Sequence, residues 1–475
     1  MKWPRIYDAG ARFVYFDAMT TPTTLLCAGA IQDAAGVCAR PGAVVVREGR
    51  IVAMGPVDRV TRDIDTRDAA TVELYNHMIL PGLVNAHAHL DLTNVGPRPF
   101  GGSFRDWLID ATSHRPGSPD EITVAVQHGL AMSHDSGTGH LADIAGSTHA
   151  VTARINAHLR AKQTGATPAP APAAVPQPVA GVSFIECFGS GDRQTACFER
   201  TREHLTAVSA LDHTNPTTPI RIGVSPHAPY SCGLDMYRAC ADLADRHGLP
   251  VCTHLAESRE ELQFLKSADG LFAELLRHYH GPDETFTPQH AHPVDWLEPL
   301  FGKANWLLAH CNYVDDPHIE TLSRQRNVSV VYCPVASEYF GHRGHRYRDM
   351  LDAGVNVCLG TDSILCQPSA RNQQQDAYQP MGILAQMRRL FCRDATDPAT
   401  LLAMATVNGM RALGVDICDA TLAPGARANL IAVRFDHDDP RDPLEQVLNN
   451  DAPAKPLMNA AELNTMQTRR GTAHL

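Results

Sequence analysis

The chain has 475 residues, of which 44% are hydrophobic and 20% charged, and its 41 basic and 52 acidic residues give a formal net charge of -11. This is ordinary globular usage, so it excludes a wholly disordered chain and a fibrous repeat. The acidic balance argues against an extended surface for nucleic acid or for an anionic membrane, and we expect neither partner.

The cysteines and the N-terminus bear on the compartment. The 13 cysteines are odd in number and lack framework spacing, which predicts reduced thiols. The N-terminal stretch MKWPRIYDAGARF has no apolar segment of the kind that signal peptides carry, and no apolar run approaches the roughly 18 residues that cross a bilayer. We therefore expect a soluble, cytoplasmic protein.

The first predicted element is a β-hairpin. From Ala43 the sequence AVVVREGRIVAMG contains two β-rich runs around Glu48 and Gly49, a dipeptide that suits a tight turn between strands. The N-terminal part of the chain is therefore predicted to be a β region.

Eight apolar runs follow, separated by stretches of helical character. They begin near Met78, Thr138, Gly181, Ile220, Pro250, Asn305, Val328 and Val355. Nearly all of them end in polar or reactive side chains. Eight β-α units close a (β/α)8 barrel, whose catalytic groups lie at the carboxyl ends of the strands. We therefore predict an α/β fold of the TIM barrel type, because the alternative, a doubly wound open sheet, leaves the polar strand ends unexplained.

Two further segments set the predicted domain boundaries. The Ala/Pro-rich stretch 164–180 is interpreted as an extended insertion, because the β-α rhythm resumes directly after it. The sequence TLAPGARANLIAVRF predicts a strand that returns to the N-terminal β region. The prediction is a barrel of residues 78–414 and an accessory β-sandwich of residues 1–77 and 415–475. The tail from Asp436 shows little periodicity, so we expect it to be poorly ordered and the accessory domain to be incomplete there.

Polar side chains at the strand ends predict a metal site. His87 and His89 stand at positions i and i+2 of the first barrel strand, so both rings face the same way. A His-X-His pair alone is as often structural as functional. Three more candidates end later runs, namely His254, His310 and Asp362. Imidazoles with one carboxylate suit one divalent transition metal, Zn²⁺ in preference to Fe²⁺.

Six motifs together carry a resemblance to a known family. PGLVNAHAHLDL, SPHAPYS, THLAES, LLAHC, CPVAS and LGTDS are similar to signatures of the metal-dependent amidohydrolase superfamily, over most of the chain from Pro81 to Gly414. The chain most resembles the branch that contains cytosine, guanine and S-adenosylhomocysteine deaminases and triazine hydrolases.

The resemblance also implies how many metals are bound. Binuclear relatives bridge two metals through a lysine on the fourth strand, whereas this chain has no lysine between Lys162 and Lys266. A carboxylate bridge is the remaining alternative. The resemblance therefore favours a single metal, held by His87, His89, His254 and Asp362.

The catalytic roles follow from the resemblance as well. Glu257 corresponds to a proton shuttle, Asp362 to the group that takes a proton from the attacking water, and His310 to a residue that orients that water, with metal contact as an alternative. By itself, Glu257 is equally compatible with a solvated position in the acidic stretch AESREEL. A carboxylic acid serves as a shuttle when burial raises its pKa toward the working pH.

Three further residues are candidate substrate contacts. His227 matches a family histidine that contacts substrate, although a lone histidine there would more often pack. Glu186 ends the third run, and burial would require it either to bind a donor group of the substrate or to pair locally. Trp107 follows the first strand and either stacks on a heterocycle or packs in the core.

The sequence therefore predicts a metal-dependent hydrolase that releases ammonia from an amino-substituted nitrogen heterocycle or a nucleoside-like compound. The alternatives are a hydrolase of a cyclic amide or imidazolone-type ring, a chlorohydrolase and a non-catalytic scaffold. The expected partner is a small-molecule substrate, and homodimerisation is common in the branch that the chain resembles.

Overall fold

The computed structural model describes residues 23–164, 179–189, 194–213, 219–282, 285–367 and 379–457. Most of the predicted Ala/Pro insertion, residues 165–178, lies outside the described residues. None of the helices in the described part of the chain has the length and apolar character that crossing a bilayer requires.

The strands and α-helices are numbered in chain order. The strands are β1 (Thr23–Gln32), β2 (Cys38–Ala39), β3 (Gly42–Arg47), β4 (Arg50–Pro56), β5 (Ala70–Pro81), β6 (Leu83–Ala88), β7 (Thr138–Ala145), β8 (Ala180–Cys187), β9 (Ile220–Pro226), β10 (Pro250–Leu255), β11 (Asn305–His310), β12 (Val328–Tyr332), β13 (Asn356–Leu359), β14 (Leu430–Arg434) and β15 (Lys455–Leu457). The helices are α1 (Val57–Asp63), α2 (Phe104–Ser113), α3 (Pro119–Asp135), α4 (Thr148–Thr164), α5 (Gln194–His213), α6 (Leu234–His247), α7 (Arg259–Ser267), α8 (Leu271–His280), α9 (Pro293–Leu297), α10 (Asp316–Ser323), α11 (Pro334–Tyr339), α12 (Tyr347–Asp352), α13 (Ile383–Asp394), α14 (Pro398–Met404), α15 (Val407–Leu413) and α16 (Pro443–Leu448).

Strands β6 to β13 form one parallel sheet in which every strand lies beside its neighbour in sequence. The sheet closes where the backbone N–H groups of Thr361 and Asp362 both donate to the carbonyl oxygen of His87, each over 3.0 Å. The predicted (β/α)8 barrel is therefore confirmed. The start of the first barrel strand differs from the start of the predicted run. The run that begins near Met78 covers both the end of β5 and the first barrel strand β6.

The barrel strands are buried along nearly their whole length. Every residue of β6, β7, β8, β10 and β12 is buried. Strands that are covered on both faces consist of continuous apolar runs, without alternation of apolar and polar residues. For this reason the sequence alone predicted these strands. The polar residues at the strand ends are therefore held by a packed scaffold.

A second sheet combines both ends of the chain. Its strand order is β15-β14-β5-β1-β3-β4, with β2 paired to β1. The predicted hairpin joins β3 and β4, and its two turn residues Glu48 and Gly49 have φ values of 52° and 69°, as a two-residue turn with left-handed residues requires. The predicted returning strand is β14, which pairs antiparallel with β5. The domain boundaries themselves stay a prediction.

The tail is more ordered than we expected, up to Leu457. The Asp442 side chain accepts hydrogen bonds from the backbone of Leu444 and Glu445 and so caps α16. The Arg388 guanidinium donates to the carbonyl oxygens of Val447 and Ala452. The Asp and Pro residues that suggested disorder are here a cap and a first-turn proline, so the expectation is wrong for residues 436–457.

Candidate metal centre and pocket

The first barrel strand brings two histidines to the mouth of the barrel. His87 lies in β6 and His89 directly follows it, and both are buried. Their ring centroids are 5.1 Å apart. The period of two along a strand places both rings on the same side, as the spacing requires.

Two later strand ends reach the same point. His254 Nε2 of β10 lies 3.4 Å from His89 Nε2. Asp362 Oδ1, just after β13, lies 3.5 Å from His89 Nε2 and 3.8 Å from His87 Nε2. Donor atoms about 2.0–2.1 Å from a tetrahedral metal are about 3.4 Å from one another. The separations from His89 to His254 and to Asp362 fit neighbouring ligands of one ion, and the His87–Asp362 separation is slightly longer.

Unpartnered nitrogens support the same fit. Within the described residues, both ring nitrogens of His87 and Nε2 of His310 are buried without a hydrogen-bond partner. Such atoms are costly unless a ligand completes them. His254 Nδ1 donates to the carbonyl oxygen of His227 over 2.9 Å, which directs the Nε2 lone pair of His254 toward the centre. The donor set suits a divalent transition metal.

The backbone at the mouth is strained. His310, Cys311 and Asp362 have φ values of 73°, 49° and 61°, in the left-handed region that favours glycine. Such conformations cost on the order of 1–3 kcal/mol each and persist where the surroundings fix them. His345 Nε2 donates to the His310 carbonyl oxygen over 2.8 Å. The N–H groups of Cys311 and Asp362 donate to the carbonyl oxygens of Leu255 and His87, so all three strained residues are tied to neighbouring elements.

Glu257 lies beside the candidate ligands. Its Oε1 is 3.7 Å from His310 Nε2, and donor atoms of Glu257, His310 and Asp362 all lie within 4.8 Å of one another. The Glu257 side chain is 11% exposed, so the solvated position that the acidic stretch also allowed is not the one that it occupies. A buried carboxyl group at this place can exchange a proton with a reacting atom in the pocket.

A network holds the turn that carries Glu257. The Glu261 carboxylate accepts hydrogen bonds from the backbone N–H groups of Ala256 and Glu257, over 2.8 and 2.9 Å. Asn312 Nδ2 donates to the Glu257 carbonyl oxygen over 2.9 Å, and Ser337 Oγ donates to Asn312 Oδ1 over 2.7 Å. Both contacts act on the backbone and leave the Glu257 carboxyl group free to face the pocket.

Burial sets the protonation of these groups. It raises the pKa of Glu257 well above its ordinary value, and the charges of Asp362 and Glu261 add to the rise. Burial likewise lowers the pKa of His310 to about 3 and holds the pKa values of His87 and His89 well below their usual range. Neutral imidazoles are the form that binds metals.

A cavity of about 270 Å³ opens over these groups. Trp107 of α2 lines it and also packs in an aromatic cluster, with its ring centroid 4.8 Å from that of Phe340 and 5.9 Å from that of Phe104. Trp107 therefore packs in the core, and its stacking on a heterocycle stays a prediction. The rest of the lining is largely apolar and includes Leu92 and Leu275. Of the nine predicted site residues, eight line this cavity, and fully buried His87 lies behind them.

His227 lines the cavity, and a hydroxyl group holds its ring. Its Nδ1 lies 2.7 Å from the Ser231 hydroxyl. The Ser231 oxygen lies 3.1 Å from the Ala228 carbonyl oxygen, so its single proton serves either that carbonyl or His227 Nδ1, and the ring tautomer decides which group donates. Burial lowers the pKa of His227 well below its usual value, so the ring is neutral.

Glu186 and one residue missed in the sequence form a charged cluster on the same wall. Glu186 Oε2 lies 3.5 Å from Arg115 Nη2, and Glu186 Oε1 lies 3.9 Å from His227 Nε2. Asp91 is a second carboxyl group near Arg115, and burial raises its pKa to about 6 against the opposing charge of the guanidinium. Arg115 lies after α2 in an irregular segment, where neither periodicity nor a motif marked it.

The chain matches a model of the amidohydrolase family over residues 78–462. A 5-methylthioadenosine/S-adenosylhomocysteine deaminase from Syntrophobacter fumaroxidans is 29% identical over 401 residues, which cover 83% of this chain and 80% of the relative. Two solved structures share the fold. The Helicobacter pylori aminofutalosine deaminase in complex with methylthio-coformycin superposes with a TM-score of 0.72 at 18% identity, covering 92% of this chain and all of that one. An atrazine chlorohydrolase from Arthrobacter aurescens complexed with zinc has a TM-score of 0.68 at 19% identity, covering 94% of this chain and 99% of its own.

Proposed function

The chain belongs to the amidohydrolase family, and on that premise we propose that it is a metal-dependent hydrolytic deaminase of 5′-modified adenosine nucleosides. The reaction adds water across the amino-bearing ring carbon and releases ammonia, leaving a carbonyl group in place of the amino group. The observation that carries the proposal is the convergence of His87, His89, His254 and Asp362 beside Glu257.

The proposed cofactor is one Zn²⁺, held by His87, His89, His254 and Asp362. Three imidazoles with a carboxylate are a donor set that zinc prefers, and zinc is present in the related chlorohydrolase structure. Fe²⁺ is the alternative for the same donors. A divalent transition metal supplies, when bound, an acidified water that serves as a nucleophile near neutral pH.

The protein's own groups divide the proton transfers. Asp362 accepts a proton from the attacking water. Glu257 protonates the ring nitrogen next to the amino-bearing carbon and is then a carboxylate. It takes up the proton of the added hydroxyl group as the carbonyl forms and passes it to the departing amine, for which a carboxyl group of raised pKa is suited. Asp362 returns the first water proton to Glu257, which restores both groups. His310 Nε2, which has no partner among the described residues, faces the same atoms and orients the water. Each transfer uses a group already in the cavity wall.

The substrate class is proposed from the relatives and the cavity. The deaminase relative is named for two adenosines with sulfur-linked 5′ groups. The aminofutalosine deaminase structure holds a nucleoside analogue that carries a methylthio group. Apolar residues of the cavity, including Leu92, Leu108 and Leu276, offer a surface for such a 5′ substituent, and Trp107 offers a ring face to a base.

The test is ammonia release by the zinc-loaded enzyme from 5′-methylthioadenosine, adenosine, guanine, a pterin and a chlorinated triazine. We expect turnover of the two adenosine nucleosides, and 5′-methylthioadenosine to have the higher kcat/KM. Chloride release from the triazine without deamination of either nucleoside would contradict the proposal and favour the chlorohydrolase reaction. Metal analysis of the same preparation should find about one equivalent of zinc per chain.

A further inference from the structure

A second cavity, of about 530 Å³, lies beside the segment that supports His310. His345 lines this cavity and also donates from Nε2 to the His310 carbonyl oxygen over 2.8 Å. Among the described residues, none lines both this cavity and the catalytic one. The second cavity is therefore a separate site, linked to the catalytic centre by one hydrogen bond.

The lining of the second cavity is rich in arginine. Its charged side chains are four guanidinium groups and two carboxyl groups, namely Arg343, Arg348, Arg389, Arg393, Glu338 and Asp394. Burial lowers the pKa values of His342 and His345 in the same lining to about 4, so both rings are neutral. The cavity thus carries an excess of two positive charges, although the whole chain has a net charge of -11.

The two carboxylates of the lining are already occupied. Glu338 Oε1 accepts from Arg393 Nη1 over 2.8 Å, and Glu338 Oε2 accepts from Arg389 Nε over 2.6 Å. Both carboxylate oxygens of Asp394 accept from Arg393, over 2.8 and 2.7 Å. Arg343 and Arg348, in contrast, form no ion pair with any described residue. The lining therefore leaves these two guanidinium groups without a compensating charge.

The chemistry of the two uncompensated groups selects the kind of ligand. A guanidinium group donates hydrogen bonds and accepts none, so the occupant must supply acceptors. A phosphate group offers three acceptor oxygens and up to two negative charges, which match two guanidinium groups better than the single charge of a carboxylate does. The cavity volume is in the range of small-molecule sites, so the organic part of a phosphomonoester has room as well.

We propose that this second cavity binds the phosphate group of a small anionic ligand, and that Arg343 and Arg348 contact that group. The proposed site goes beyond the proposed function and does not depend on it, because its ligand occupies a cavity separate from the one in which the reaction takes place.

Calorimetric titration of the zinc-loaded protein with inorganic phosphate, glycerol 3-phosphate and acetate, at constant ionic strength, tests the ligand class. We expect both phosphate compounds to saturate one site per chain and acetate to bind at least about 10-fold more weakly. Tighter binding of glycerol 3-phosphate would identify an ester as the source of the group, and equal affinities would identify the free ion. Absence of phosphate binding, or acetate binding of equal strength, would overturn the proposal.

Two variants with opposite expected effects locate the site. Arg343→Gln combined with Arg348→Gln removes the proposed contacts and should weaken phosphate binding at least about 10-fold. Glu338→Gln removes a competing negative charge from the lining and should strengthen phosphate binding about 3-fold or more. An unchanged affinity in the arginine double variant would overturn the proposal and place the bound phosphate elsewhere, such as at the catalytic metal.

The matched control removes two other arginines. Arg59→Gln with Arg62→Gln changes side chains of α1 that are 75% and 70% exposed, and phosphate affinity should stay within about 2-fold of the wild-type value. Equal weakening in this control would overturn the proposal, because net charge would then explain both results. Zinc content and Tm verify that each variant folds, and the arginine double variant and its control decide if Glu338→Gln does not. Since binding is measured without turnover, a failure of the proposed deaminase reaction would leave this result intact.

Discussion

Two walls of the same cavity are built in different ways. The metal wall, defined by His87, His89, His254 and Asp362, uses residues at the ends of barrel strands, and backbone hydrogen bonds join those strands to their neighbours. The loop wall, defined by Trp107 and Arg115, uses α2 and the irregular segment after it. Strand ends fix positions within a shared scaffold, whereas loops can change without disturbing the barrel. We therefore expect the metal wall to govern chemistry and the loop wall to govern substrate choice.

The largest effect should come from the metal wall. His87→Ala removes a fully buried candidate ligand whose ring nitrogens have no partner within the described residues. We expect the purified variant to lose its zinc and its ammonia release together, measured by elemental analysis and by assay. His247→Ala, which changes an exposed histidine of α6, is the control and should keep both. Retention of zinc in the His87 variant would contradict the ligand assignment.

The next effect separates chemistry from metal binding within the same wall. Glu257→Gln keeps the shape of the side chain and removes its ability to transfer a proton. We expect kcat to fall by about 10²–10⁴-fold with zinc content unchanged. Glu260→Gln, three residues further along the same acidic stretch and outside the cavity lining, should retain wild-type kcat. Full activity of the Glu257 variant would refute the shuttle role.

The contrast between the walls also marks how far the sequence could predict the structure. Motifs at strand ends identified all four candidate ligands and Glu257, because strand period and barrel topology convert spacing into position. The sequence did not predict the place of Arg115 in the cavity wall. Its contact with Glu186 joins residues about 70 positions apart, and Arg115 lies in an irregular segment where no local periodicity encodes such a contact. Tail order was misjudged because Asp442 and Pro443 are typical both of loops and of helix starts.

On the loop wall, a smaller effect with a different kinetic signature is expected. Trp107→Leu removes an aromatic face from the cavity while leaving an apolar side chain in the cluster around Phe340. We expect KM for 5′-methylthioadenosine to rise about 5–10-fold with kcat nearly unchanged, in line with the contribution of an aromatic contact. Trp296→Leu, a tryptophan of α9 that packs on Tyr237 away from the cavity, is the control. A fall in kcat alone would contradict the division between the walls.

The smallest predicted effect tests whether the network behind Glu257 acts through it. Ser337→Ala removes the hydrogen bond to Asn312 Oδ1, and Asn312 then holds the Glu257 carbonyl oxygen less firmly. We expect kcat to fall about 3–10-fold, the range of one buried hydrogen bond, with zinc content unchanged.

A double-mutant cycle separates a positioning role of Ser337 from a purely structural one. The cycle is needed because a general loss of stability would also lower activity. If Ser337 acts by positioning the shuttle, then Ser337→Ala should have no further effect on kcat once Glu257 is Gln, since the group that it positions no longer transfers protons. A structural role would lower kcat by the same factor in both backgrounds. Additive effects in the cycle would therefore remove Ser337 and Asn312 from the catalytic part of the metal wall and leave them as ordinary supports of the fold.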